Sequence, residues 1–273
     1  MSKVIALGNG FDLGLGLPTR YSDFIASRTF HIHKSYNKLF GHFLSVQDAE
    51  GWVDFEQEIY KYSLTDPEPE EFKKELQKLC DVFYKYLADI SLYNNINTKS
   101  KAFNFLRNHL YSSIDRPLYV INFNFTDCVN WIFDYLRDNE HGFDNTKFQV
   151  IHVHGSIKAK DLIFGVDDQA DVLEQYHFIK KSANRNFKPS NVHHFLKIAS
   201  SLECYGLSFG LSDHTYFSEY ILNHLEESDP QKTFQVFNVE RAFDSIHFQL
   251  GELTNKNLTK LRASPRYSFH SVD

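Results

Sequence analysis

Six short apolar runs recur along the chain, most of them ending beside a glycine or an asparagine: KVIALGNG, PLYVINFNFT, QVIHVHGS, LIFGV, ECYGLSFG and TFQVFNV. Polar or helix-like stretches such as TDCVNWIFDYLRD separate them, and strands alternating with helices predict a parallel sheet. In the first run the polar SDF after Pro18 and Thr19 starts a helix, so the chain opens as strand, turn, helix. Residues 27–113 then read differently. Phe72, Leu76, Leu79, Phe83, Leu87 and Ile90 fall at steps of three or four, and Ala102, Phe105, Leu106, His109 and Leu110 form a second stripe. The TDPEPEEF stretch supplies a breaker and an acidic first turn. The expectation is one α/β domain over residues 1–273, a Rossmann-like parallel sheet flanked by helices, with 27–113 as a mostly helical insertion or subdomain after the first strand.

The rest of the composition excludes several classes. With 42% hydrophobic and 16% aromatic residues, 26 of them Phe, the chain has ample material for a core and is far from the composition of disorder. Its 29 Lys+Arg against 35 Asp+Glu give a net charge of −6, which argues against general nucleic-acid binding. Three scattered cysteines, Cys80, Cys128 and Cys204, support neither a disulfide framework nor a cysteine zinc site, and fit a reducing compartment. The run Val4 to Leu7 is shorter than a signal-peptide core of roughly 7–15 residues, and no stretch approaches the ~20 apolar residues of a membrane span. A cytoplasmic protein without membrane contact is expected. The final NKNLTKLRASPRYSFHSVD, with four Lys or Arg, reads as a surface tail.

Ligands of open parallel sheets bind outside the carboxyl ends of the strands. Here those ends carry Gly8 to Asp12, Asn124, His154 with Gly155 and Ser156, Gly165 with Asp167, and Gly206 with Ser208. Strand alternation puts Asn122 and Asn124 on one face, and likewise His152 and His154. The glycine spacing G-x-G-x-x-x-G-x-G matches neither the dinucleotide fingerprint nor the phosphate loop, so two readings stay open: a turn whose amides approach a phosphate, or a tight strand-to-helix turn. His154 is either a proton acceptor or a hydrogen-bonded structural residue. Asn124 either orients a hydroxyl or water, or caps the following helix, a part Thr126 can also play.

These residues also carry a resemblance. LGNGFDLGLGLPTRYSDF resembles the amino-terminal signature of the AbiH family, bacterial proteins linked to abortive infection against phage. WVDFE at Trp52 to Glu56, INFNFT at Ile121 to Thr126, HVHGS at His152 to Ser156, IFGVDD at Ile163 to Asp168 and YGLSFGLSDHTYF at Tyr205 to Phe217 agree in order. AbiH-like proteins are in turn similar to the sirtuin-like NAD-binding domains of phage-defence enzymes. The resemblance implies Asn124 and His154 as catalytic residues. It implies Gly8, Asn9, Gly10, Phe11, Asp12, Gly206 and Ser208 as dinucleotide contacts, joined by the strand-end residues Gly155, Gly165 and Asp167; Asp12 or Asp167 would bind hydroxyls or stabilise charge. Glu56 enters through the family's Trp-x-x-x-Glu pattern. Without the four-cysteine zinc ribbon of sirtuin deacylases, the implied chemistry is cleavage of NAD by a toxin-like defence effector, with no metal.

Two other readings stand beside it. One is a nucleotide-sensing or scaffolding subunit without chemistry, working with a partner defence protein or as a homo-oligomer. The other is a metal-dependent hydrolase or nuclease built on His152, His154, Asp167, Asp168, Asp213 and His214. An NAD-depleting enzyme needs restraint, and the helical region is the segment available to cover a cleft or form an interface; its plainer role is to bury the edge of the sheet.

Overall fold

The computed structural model describes residues 2–33, 37–50, 55–90, 96–113, 117–225 and 232–273. Trp52, and with it most of the WVDFE stretch, lies outside the described residues. The chain divides into two compact units, one of residues 1–16, 97–153 and 188–273, the other of residues 17–96 and 154–187.

The first unit holds the sheet. Its strands are β1 (Ser2–Leu7), β2 (Leu118–Asn122), β3 (Phe148–His152), β4 (Ala199–Tyr205), β5 (Thr233–Asn238) and β6 (Tyr267–Ser271), all paired in parallel in the order β3-β2-β1-β4-β5-β6. That is the order of doubly wound dinucleotide-binding folds, with its topological switch between β1 and β4. Val4 to Leu7 have no exposed surface, which is why β1 reads as an unbroken apolar run rather than an alternating one.

The unit's helices are α1 (Asn9–Gly14), α7 (Lys101–Tyr111), α8 (Cys128–Asn139), α9 (Pro189–Ile198), α10 (Leu211–Leu225), α11 (Phe243–Leu253) and α12 (Leu258–Ala263). Helix α7 lays Phe105 against Tyr205 and Phe237, at ring separations of 4.9 and 5.0 Å. From α9, Phe195 meets Tyr119 at 4.6 Å. Tyr205 pairs with Leu7 and Tyr119 with Val4, three residues apart on one strand, so the two helices cover opposite faces. Across the α7 face, Glu203 is held between His109 Nε2 at 3.0 Å and Lys3 Nζ at 2.9 Å.

The second unit contains α2 (Tyr21–Ala26), α3 (Arg28–His31), α4 (Lys38–Glu50), α5 (Phe55–Ser63) and α6 (Pro69–Ile90). Helix α6 starts with Pro69 followed by Glu70 and Glu71, residues suited to a helix amino end, and buries Phe72, Leu76, Leu79, Phe83 and Leu87 as the periodicity predicts. Its core is aromatic: Phe83 sits 4.9 Å from Phe24 and 5.1 Å from Phe164, and Phe43 4.4 Å from Phe55.

Three expectations change. The LIFGV run forms no strand; its single parallel bridge, from Val166 to Lys180, joins it to an extended residue between two 3-10 turns rather than to the sheet. Strand β3 stops at His152, and His154 lies in the turn beyond it. The terminal stretch is no tail. It folds into α12 and β6, where alternating Tyr267, Phe269 and Ser271 continue the sheet beyond β5.

Candidate functional site

At the mouth of β1 and β4 the glycines serve backbone contact. Gly8 N donates to Tyr205 O at 2.9 Å and Gly10 N to Gly206 O at 3.0 Å. A Cβ on Gly10 would stand 2.6 Å from the Gly206 Cα, and one on Gly8 2.6 Å from the Gly206 carbonyl oxygen. Gly206 itself has φ +67°, a left-handed conformation. Two amides of the turn are therefore engaged by β4, and Phe11 N donates to Gly8 O. Of the remaining turn residues, Asn9 is exposed, Phe11 is buried edge-on to Tyr205 at 5.6 Å, and Asp12 is 1% exposed. Past β4, Ser208 is exposed.

Next to this contact, the turn from β2 into α8 forms a hydrogen-bonded circuit. Asn124 Nδ2 donates to Gly8 O at 3.1 Å, and Asn124 N donates to Asn122 Oδ1 at 3.0 Å. Asn122 Nδ2 donates to Thr126 O at 3.1 Å, and Thr126 Oγ1 donates to Asp12 Oδ2 at 2.7 Å. Because Asp12 lies in α1, directly after Gly8, the circuit closes on itself. His152 fixes the outer side: its Nδ1 lies 3.4 Å from Asn124 O and its Nε2 3.5 Å from Asp127 Oδ1. Asn124 is 5% exposed, and its bond to Gly8 O uses one of the two Nδ2 hydrogens. Burial, opposed by Thr126, Cys128 and the charge of His152, pushes the Asp12 carboxyl up from 3.8 to about 7.

His154 belongs to the second unit, where its carbonyl accepts from Ile163 N at 2.8 Å. Gly155, at φ +73°, lets the turn close, since a Cβ there would stand 2.0 Å from Asp161 O; the Asp161 carboxylate also accepts from Ser156 N at 2.8 Å. Burial first, and the Lys181 charge second, hold the imidazole well below the ordinary histidine range, so it is neutral at pH 7. Lys181 is 2% exposed and its Nζ is 2.6 Å from Glu56 Oε1. Its amide donates to Val166 O at 3.0 Å, and a Cβ on Gly165 would stand 2.3 Å from Ile179 O, so that glycine permits the close backbone bridge. Asp167 folds back on its own turn, Oδ1 accepting from Gln169 N at 2.8 Å.

The structure thus gathers Gly8, Gly10, Asp12, Asn124 and Gly206 in the first unit, and His154, Gly155, Gly165 and Asp167 in the second. Sequence reasoning missed Lys181, and it named Asn122 and Thr126 only as a face-mate of Asn124 and as a helix cap. Lys181 carried no signal beyond being one of many lysines. Asn122 and Thr126 flank Asn124 at two residues on either side, the spacing at which a side chain ties down a neighbouring turn. The metal reading's residues are engaged locally: Asp168 Oδ1 accepts from Ser182 N at 3.1 Å, and His214 Nε2 lies 3.1 Å from both Phe209 O and Gln249 Oε1. Among the described residues no three of His, Cys, Asp and Glu are grouped to hold a metal ion, and no helix is long and apolar enough to cross a membrane.

A parallel six-stranded sheet in this order, with carboxamides, a buried carboxyl and glycines gathered where β1, β2 and β4 end, defines a doubly wound α/β protein of the Rossmann type. Its sequence goes further than its fold. The chain belongs to the AbiH family: residues 4–235 match the family described as bacteriophage abortive infection AbiH, which gives it a role in abortive infection by phage. No curated protein matches the chain.

Proposed function

We propose that the chain is an abortive-infection effector that binds NAD and hydrolyses its nicotinamide–ribose bond, lowering cellular NAD on infection. The observation that carries this reading is Asn124, a buried carboxamide tied to Gly8 O at the carboxyl end of β2, beside the topological switch where such sheets bind nucleotides. The similarity of AbiH-like proteins to sirtuin-like NAD-binding domains supports the same chemistry. In the reaction the glycosidic C–N bond breaks, nicotinamide leaves with the bonding pair, and positive charge develops on the ribose as in other glycoside cleavages. Water adds at the ribose carbon and releases a proton. Asn124 Oδ1 orients a ribose hydroxyl or the water. His154, held neutral, is the acceptor for the proton, though its depressed basicity makes it weaker than free imidazole in that task.

That weakness favours a second reading, nucleotide binding without turnover, as expected of a sensing subunit. One experiment separates them: purified protein is incubated with NAD, with and without lysate of phage-infected cells, and nicotinamide release is followed beside NAD binding by calorimetry. Turnover that falls at least 100-fold in Asn124→Ala and in His154→Ala supports hydrolysis. Binding with no nicotinamide release under any condition establishes the sensing reading, and turnover unchanged in the variants removes both residues from the mechanism.

A further inference from the structure

We propose that Asp12 is a positioning residue for Asn124, acting through Thr126 and Asn122 to set how the Asn124 carboxamide is presented at the mouth of β2. The path is continuous: Asp12 Oδ2 to Thr126 Oγ1 at 2.7 Å, Thr126 O to Asn122 Nδ2 at 3.1 Å, Asn122 Oδ1 to Asn124 N at 3.0 Å, and Asn124 Nδ2 to Gly8 O at 3.1 Å. Every side chain on it is at most 5% exposed, so water does not compete for these bonds. The other Asp12 oxygen, Oδ1, is buried without a hydrogen-bond partner. A carboxylate left half-satisfied at such a depth is a poor choice for structure alone, since a neutral amide would fill the place without the desolvation cost. What the carboxyl adds is a choice of bond direction. Ionised, it accepts from the Thr126 hydroxyl; protonated, it donates to it, and the Thr126 proton turns elsewhere.

The switch falls in the working range, because burial brings the carboxyl to about 7. The groups facing it are the Thr126 hydroxyl and the Cys128 thiol from the start of α8, with His152 of β3 acting by charge. Burial holds the Cys128 thiol well above its ordinary value, so it stays protonated and adds no charge of its own. Asp12→Asn retains the shape, fixes one direction and removes the titration.

The inference rests on the reading that Asn124 meets the nucleotide, and its test separates the two. The Asn124 side-chain amide is followed by NMR from pH 5.5 to 8.5 in selectively labelled protein, alongside the pH profile of nicotinamide release. Wild type is expected to show the Asn124 signals titrating with a midpoint near 7, as given by the Asp12 carboxyl. The titration disappears in Asp12→Asn and is weakened at least twofold in Thr126→Val, which cuts the path without touching the charge. A titration that survives Asp12→Asn, or its absence in folded wild type, overturns the proposal. Titration with no NAD binding or turnover leaves the positioning of Asn124 standing and removes the NAD reading alone. Titration with turnover whose profile is flat across pH 7, and identical in Asp12→Asn, overturns the proposal's link to presentation.

Discussion

Gly10 and Gly206 meet backbone to backbone, with room for no side-chain atom between them: a Cβ on Gly206 would lie 2.4 Å from Phe11 N and 2.5 Å from the Gly10 Cα. Alanine at Gly206 adds this overlap to a left-handed φ of +67°, while Gly10 carries the overlap alone. Gly206→Ala is expected to lower stability by on the order of 3–4 kcal/mol and Gly10→Ala by about 2 kcal/mol. Urea unfolding of both variants checks the order as well as the size.

Gly41 supplies the opposite case. It sits exposed within α4, and a Cβ there meets nothing within 4 Å. Gly41→Ala should raise stability by about 0.5–1 kcal/mol, read as a higher midpoint in the same unfolding experiment.

Asp12 makes stability depend on pH in a defined direction. Its folded value of about 7 exceeds the ordinary 3.8, so the native state holds the proton more tightly than the unfolded chain. The native state is then favoured most at low pH, loses stability as pH rises from about 4 to 7, and levels off above. Asp12→Asn removes that loss, on the order of 3–4 kcal/mol at pH 8. Thermal melting of wild type and variant across pH 4 to 8 should converge at the acid end and separate at the alkaline end.

Glu203 works the other way. Burial raises its carboxyl, but His109 and then Lys3 outweigh that and hold it at about 2 against an ordinary 4.5. Its contribution is complete above about 4.5 and is lost as pH falls toward 2. Glu203→Gln should be less stable at pH 6 by roughly 2–3 kcal/mol and should lose less than wild type between pH 4.5 and 2, measurable by acid titration of the circular dichroism signal.

The Lys181–Glu56 pair is a buried ammonium held by a carboxylate that is 26% exposed along its side chain. Removing the carboxylate leaves the charge buried, and Glu56→Gln is expected to destabilise by on the order of 2–3 kcal/mol. Lys181→Met added to it should recover most of the loss, because an apolar side chain of similar length suits the site. Recovery of less than a third of the loss would show that Lys181 contributes by more than its charge.

Much of this was legible in the residues. The unbroken Val4–Leu7 run announces a strand buried on both faces, and the Phe72 to Leu87 spacing gives α6 along with its buried side. Asn124 and the glycines at Gly8, Gly10 and Gly206 could be named because strand ends in a parallel sheet fall in one place. What they do there could not. Nothing in G-x-G distinguishes amides that face a ligand from amides engaged by a neighbouring strand; that depends on a partner about 195 residues away in sequence. The LIFGV run failed for a related reason: a short apolar segment pairs with whatever backbone lies beside it, here the Lys180 segment, which has no strand pattern. Strand β6 was hidden by its polar Ser268, His270 and Ser271, since an edge strand needs only part of an apolar face.

Strand β1, the first of the six in chain order, sits in the interior of the sheet, with Val4 alongside Tyr119 on one side and Leu202 on the other. Its six residues pair with strands about 115 and about 198 residues further along the chain, so neither of its neighbours is local. Assembly of this sheet is non-local, which places it in a slow class of folding. The centre of such a sheet closes only once β4 has been made, however early β1 and β2 meet.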